Sequence, residues 1–269
     1  MGRNHLISLG ILNGYVESPA TEHRCKEFVW SFNKEGFWKE FFASLLNDSN
    51  EKKYEVTEVP CASIDNDLAV VLNPFGESYP EISLERSEVY ETIIEFIKDG
   101  GVFVNTAGFP FFYSWIVSSG QQVPVSQNKV LIPKTIQVKD GAYTISELQG
   151  LVDFTGTRYY RDFGALTTFG GKIDVKPFQT EDDKKYFGEL VSGRESITEF
   201  RALRSSVKGC VPVIRANRPD GEVYPISALE HGRGFMLVSA MGNNSIEEAS
   251  LFAMATDRFL TWVASHHTR

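Results

Sequence analysis

Leu68-Ala-Val-Val-Leu72 is an unbroken apolar run, and Leu6-Ile-Ser-Leu-Gly-Ile-Leu12, Val102-Phe-Val104 and Phe235-Met-Leu-Val-Ser239 come close to it. Short apolar runs of this kind predict strands covered on both faces, as in the middle of a parallel sheet. Tyr54-Glu-Val-Thr-Glu-Val59 alternates apolar and polar positions instead, which predicts an edge strand. Other segments change to the helical period. Val89, Ile93, Phe96 and Ile97 form one stripe that stops at Asp99-Gly100-Gly101, glycine being the usual residue past a helix end. Between Thr21 and Leu46, Phe28, Phe37, Phe41 and Leu45 recur at helical spacing, and Gly36 divides the stretch into two helices. The capping box Ser245-Ile-Glu-Glu248 opens a last helix with Phe252, Phe259, Trp262 and Val263 on one face.

The strand beginning at Asp67, the helix through Ile97 and the strand after Gly101 make a β-α-β crossover, which is right-handed almost without exception. The order of elements predicts an α/β fold of flavodoxin-like or amidotransferase-like type, a mostly parallel sheet with helices on both faces. Beyond Phe109 the pattern loosens. Strand candidates there are Lys129-Val-Leu-Ile132, Thr135-Ile-Gln-Val138 and Tyr143-Thr-Ile145, and the acidic stretch from Thr180 begins a helix through Leu190. About a hundred residues is too long for a bare loop. Residues 1–269 therefore read as a single α/β domain, with 109–210 as an insertion or cap subdomain. Regular order returns at Val211-Pro-Val-Ile214.

With 269 residues, 42% of them hydrophobic and 23% charged, the chain is long enough to bury a sizeable core. A net charge of -8 and a pI near 5.3 argue against a nucleic-acid partner, since phosphate contacts need a basic face. No run approaches the roughly 18 apolar residues that span a bilayer, and the start lacks a basic segment followed by an apolar one. Cys25, Cys61 and Cys210 are odd in number and far apart, which fits neither a disulfide framework nor a zinc site. A cytoplasmic location is expected, although Asn47 and Asn243 each begin an Asn-x-Ser triplet. His5, His23, His231, His266 and His267 form no helical metal-binding pair, and Phe169-Gly-Gly171 and Gly232-Arg-Gly234 lack a nucleotide-binding pattern, so neither metal nor cofactor is expected. His231 reads as a turn residue, and His266 and His267 as solvent-exposed at the end of the last helix.

Two turns hold the candidate chemistry. Val104-Asn-Thr-Ala-Gly108 has the small residues of a nucleophile elbow, with Thr106 where a Ser or Cys would stand. A threonine hydroxyl needs an adjacent base to become nucleophilic, and Pro110 pushes the chain toward an extended loop. The loop Asn73-Pro-Phe-Gly-Glu77-Ser-Tyr79-Pro-Glu81 is stiffened by two prolines and a glycine. Glu77 and Glu81 are candidates for an acid/base pair, with Asp162 or Glu195 as possible partners. Asn73, Glu77, Tyr79, Thr106 and Phe109 are candidates for holding a small molecule. The aromatic cluster Phe109, Phe111, Phe112, Tyr113 and Trp115 is read as core or pocket lining.

In Asp67-Leu-Ala-Val-Val-Leu-Asn73, Phe96-Ile-Lys-Asp-Gly-Gly-Val-Phe-Val104 and Val104-Asn-Thr-Ala-Gly108 the chain resembles the class I glutamine-amidotransferase-like superfamily. The segment from Tyr224 through Gly232-Arg-Gly234 to Ser239 is similar to the late strand pair of trehalose-utilisation-type proteins and of β-galactosidase trimerisation domains. The resemblance covers about residues 5–108 and 211–263. It implies the fold and the place of a cleft. Amidotransferases of this type use a Cys at the elbow and a His-x-Glu pair after a late strand. Here Thr106 stands at the elbow, and Ala240-Met-Gly-Asn-Asn244 follows the late strand. The expectation is thus a catalytically degenerate, carbohydrate-related ligand-binding or assembly module, able to form a homo-oligomer or to be part of a larger protein. The alternatives are a hydrolase using the carboxylates of the 73–81 loop and a purely structural oligomerisation domain.

Overall fold

The computed structural model describes residues 6–13, 36–65, 67–76, 78–82, 88–108, 110–111, 113–116, 121–124, 171–176, 178, 180–199, 203–204, 210–218, 221–239 and 245–267. The strands are β1 (Ile7–Leu12), β2 (Tyr54–Val59), β3 (Val70–Asn73), β4 (Ser78–Glu81), β5 (Val102–Asn105), β6 (Tyr113–Ile116) and β7 (Gln121–Pro124). They continue with β8 (Gly171–Lys176), β9 (Ser196–Glu199), β10 (Leu203–Arg204), β11 (Cys210–Arg218), β12 (Gly221–His231) and β13 (Gly234–Ser239). The helices are α1 (Phe37–Ser44), α2 (Glu88–Lys98), α3 (Glu181–Val191) and α4 (Ile246–His266).

A ten-stranded sheet runs in the order β2-β1-β3-β5-β13-β12-β11-β8-β9, with β10 also on β12. The pairs from β2 to β13 are parallel, and those beyond β13 are antiparallel. The sheet is therefore mixed, which corrects the expectation of a mostly parallel one. The reason is the long β11-β12 hairpin, whose second strand turns directly into β13. A two-residue turn can join only antiparallel neighbours. Pro212, which cannot donate to a ladder, sits where the β11-β12 register shifts.

Side chains alternate between two cores, as the pleat requires. Val70, Leu72, Val102, Val104, Phe235 and Leu237 face one way and meet α1, α3 and α4. Val71, Phe103, Met236 and Val238 face the other way and meet α2 through Val89, Ile93 and Ile97. The two layers bury the apolar runs on both faces, which is why those runs carry no polar alternation. Gly36, with φ 80°, precedes α1 where the sequence placed a break. Ser245 and Thr180 accept the amides of Glu248 and Asp183 and so begin α4 and α3.

The sequence did not separate β4 from the loop before it, nor predict β6, which pairs with β4 and β7 in a small second sheet. Within 109–210, β8 and β9 widen the main sheet while β6 and β7 join the small one. The first of the two helices expected between Thr21 and Leu46 and the three strand candidates between Lys129 and Ile145 lie outside the described residues.

Candidate functional site

Asn73 and Asn105 end the neighbouring parallel strands β3 and β5 and stand directly opposite each other in register. Both are fully buried, so their amides must find partners inside the protein. Asn73 Nδ2 donates to Asn105 Oδ1 at 3.0 Å and to the carbonyls of Gly76 at 3.2 Å and Ser78 at 2.8 Å. Its Oδ1 accepts from the Phe75 amide at 3.2 Å. One side chain thus folds the 73–78 turn back on itself, the local Asx geometry that Asn favours. Asn105 Nδ2 donates to the Ala107 carbonyl at 2.8 Å, shaping the second turn in the same way.

Thr106 is 0% exposed, and its hydroxyl donates to the Asn73 carbonyl at 3.0 Å. The Thr106 amide reaches that same carbonyl at 3.3 Å. The hydroxyl therefore bolts the end of β5 to the end of β3. The turn continues through Gly108, with φ 62°, and Pro110 to β6, so strand, turn and strand replace the strand-turn-helix of an elbow. Pro110 is the local signal for that difference.

Glu81 is 0% exposed at the end of β4. Its carboxylate accepts from the amides of Tyr90 at 2.9 Å, Ile82 at 3.2 Å and Val89 at 3.3 Å. Val89 and Tyr90 belong to the first turn of α2, whose amides lack intrahelical partners. The carboxylate is a cap for that helix, contributed from outside the helix. Burial pushes its pKa up to about 7, against the three amide donors, with Glu88 adding a small push in the same direction. A carboxyl titrating near 7 has the acidity of a general acid or base, but this one is enclosed by the backbone it caps.

Glu77, Phe109 and Asp162 lie outside the described residues. Of the acid/base pair of Glu77 and Glu81, only Glu81 is among the described residues. Glu195 is exposed just ahead of β9, six strand spacings from β3, or roughly 25–30 Å. Tyr79 is buried, with its ring 5.1 Å from that of Phe111 and 6.4 Å from that of Tyr90. Asn73 and Thr106 are thus joined directly across the two turns, and Tyr79 is buried beside Phe111 and Tyr90.

Tyr90 was not singled out by sequence reasoning, and Phe111 was named only as one ring of the aromatic cluster from Phe109 to Trp115. Phe111 has φ 61°, a left-handed conformation that costs a bulky side chain about 1–2 kcal/mol. Its ring is 2% exposed, stacks on Phe103 at 5.5 Å and meets Tyr90 at 5.0 Å. The cluster from Phe109 to Trp115 pointed to this aromatic packing, but nothing in it marked which ring goes inside.

The glycine turn at His231 has a structural use. Arg233 donates its amide to the Lys98 carbonyl at the end of α2 at 3.1 Å, and its guanidinium lies 3.5 Å from Asp99. His266 is stacked on Trp262 at 4.7 Å and reaches Asp182 at 3.0 Å, so the end of α4 is tied to α3. Among the described residues no group of three or more His, Cys, Asp or Glu side chains could hold a metal, and no helix is long and apolar enough to cross a membrane.

No family model and no curated protein matches the chain. Solved structures similar to it include a β-galactosidase from Bacillus circulans sp. alkalophilus, with TM-score 0.44 and 10% identity over 95% of this chain. The chain spans only 31% of the length of that enzyme. A putative ThuA-like protein from Bacteroides uniformis matches with TM-score 0.42 and 9% identity, over 96% of this chain and 91% of its own. A cytoplasmic protein from Salmonella typhimurium matches with TM-score 0.43 and 10% identity, over 96% of this chain and 98% of its own.

Proposed function

We propose that the chain is a non-catalytic module of the class I amidotransferase-like type that holds a small molecule or assembles with other chains, in a carbohydrate-related setting. The observation that carries this reading is the state of Thr106. At the position where an amidotransferase needs a nucleophile, the hydroxyl proton is committed to the Asn73 carbonyl, and the side chain is wholly buried. A group held as a bolt between two strands is not displayed for attack.

Two further observations support it. The parallel strands β1, β2, β3, β5 and β13 lie in the order second, first, third, fourth, fifth, which is the flavodoxin-like order and favours a crevice at the β1-β3 switch point. Glu81, the described carboxylate of the 73–81 loop, caps α2, which disfavours the hydrolase alternative. In this reading 109–210 is an insertion, and the module works in the cytoplasm on a small molecule or as a homo-oligomer or part of a larger protein. Sugars are included among the ligand classes because of the resemblance of the Tyr224 to Ser239 segment.

The test is a thermal-shift screen of sugars, amino acids and nucleotides on the wild type and on Thr106→Val, with product analysis and light scattering at several concentrations. Thr106→Val lowers stability by about 1 kcal/mol, the value of one internal hydrogen bond. One ligand class then raises Tm equally in both proteins without product, or scattering shows association. Product formation that disappears in Thr106→Val overturns the reading, as does a strict monomer that responds to nothing.

A further inference from the structure

We propose that the Phe111 ring is a displaceable plug, occupying a slot that accepts a planar aromatic group from a ligand. The proposal deepens the binding form of the function above and rests on it. Three elements build the slot: Phe103 from β5, Tyr79 from β4 and Tyr90 from α2. Phe111 lies on Phe103 nearly parallel, at 15°, and stands at 85° to Tyr79 and 88° to Tyr90. The walls thus offer one flat face and two perpendicular rings, an arrangement that selects for a flat ring by the aromatic quadrupole. They belong to regular elements packed against the sheet, whereas the plug belongs to the turn between β5 and β6.

The plug is also held under strain. Phe111 takes φ 61°, one of two positive values outside glycine among the described residues, and the other, Asn50, is of a residue type that tolerates it. Strain of this kind persists only where the surroundings impose it, and it gathers at clamps and switches. Leaving the slot returns the Phe111 backbone to an ordinary conformation, which offsets part of the lost ring packing. A ligand ring that supplies the same packing without the backbone strain competes favourably with the plug. The slot sits beside the carboxyl ends of β3 and β5, the side on which open α/β sheets take their ligands. The chemical class is a neutral phenyl- or indole-sized ring, since it must replace a phenyl group among aromatic walls.

Indole is the probe. Hydrogen exchange of the 106–111 amides is followed in the wild-type chain with and without indole, and indole affinity is measured for wild type, Phe111→Gly and Phe103→Ala. Displacement predicts exchange at least severalfold faster in 106–111 when indole is bound. Glycine accepts the left-handed backbone and leaves the slot open, so Phe111→Gly binds indole at least tenfold more tightly than wild type. Phe103→Ala, lacking the stacking face, loses the binding. Unchanged 106–111 exchange in the wild type at indole concentrations that saturate Phe111→Gly overturns the proposal and leaves Phe111 as core. Should Phe111→Gly fail to fold, the wild-type exchange decides alone, and unchanged exchange at the solubility limit of indole overturns it. A screened ligand that raises Tm without altering 106–111 exchange overturns the plug while leaving the module reading standing.

Discussion

A carboxyl group closed in behind β4 and met by three amides behaves unlike the surface glutamate that the polar residues around it in sequence suggest. Glu81 has an ordinary pKa of 4.5, and in the folded chain burial holds it at about 7. The folded protein therefore keeps a proton that the unfolded chain has lost between those values. Its contribution to stability is complete below pH about 4.5 and is lost as pH rises through about 7. At about 1.4 kcal/mol per pH unit the loss reaches at most about 3 kcal/mol. Urea unfolding at pH 5 and pH 8 reads it out. Wild type loses stability relative to Glu81→Gln, which can still accept the Val89 or Tyr90 amide but does not titrate. Parallel profiles for the two proteins would show that the group does not titrate in this range. The buried polar residues of the candidate site were thus visible in the sequence while their structural tasks were not. Asn73, Tyr79, Glu81 and Thr106 were singled out, but a polar residue in a Pro-Gly loop looks the same whether it faces a ligand or its own backbone. Thr106 is bound to a carbonyl 33 positions earlier, a distance that no local pattern reports.

At the level of elements, two glycine pairs read separately in the sequence turn out to be one joint. Gly100 N–H meets the Ile97 carbonyl and Gly101 N–H the Phe96 carbonyl, a Schellman end to α2 with Gly100 at φ 109°. Gly234 packs against that same end. A Cβ placed on it would stand 2.2 Å from the Gly101 carbonyl oxygen and 2.3 Å from that of Ile97. Both obstacles are backbone and cannot rotate away. A Cβ on Gly100 would meet nothing nearer than 3.8 Å, so only its backbone conformation is at stake there. Gly100→Ala is therefore expected to cost about 1–2 kcal/mol, and Gly234→Ala more than about 2 kcal/mol, by chemical denaturation. Equal costs would mean that the hairpin moves off α2 freely. The helix end was legible because a glycine after an apolar stripe is a local signal. The Gly-Arg-Gly turn was legible only as a turn, since its reason is a close approach to a helix far back in the chain.

Across the whole molecule the open edge of the parallel half is tied to the last helix. Asp257 of α4 accepts the Tyr54 hydroxyl at 2.7 Å and pairs with Lys53 at 2.6 Å, and Lys53 also donates to Thr261 at 2.9 Å. Burial, and then the Asp257 carboxylate, hold the Tyr54 phenol well above its ordinary pKa. Asp257→Ala leaves a buried phenol and a half-buried ammonium without their acceptor. Removing one partner of such a set costs roughly 2–4 kcal/mol. Hydrogen exchange is expected to rise first in β2, whereas Tyr54→Phe loses about 1 kcal/mol and leaves Lys53 paired. A uniform rise over the sheet in Asp257→Ala would instead place this contact in the global core. The sequence by itself determined the central elements and the class: unbroken apolar runs made central strands, helical stripes closed by caps and glycines made helices, and their alternation made an α/β protein. Those signals are local, because burial of one face writes a period into one segment. Only the tertiary structure decided that the sheet continues antiparallel beyond β13, that Glu81 faces α2, that Thr106 joins two strands, and that Phe111 fills the aromatic slot. Each depends on partners brought together from separate segments, as do Lys53 and Thr261, 208 residues apart, and burial then raises the pKa of Glu81 and Tyr54.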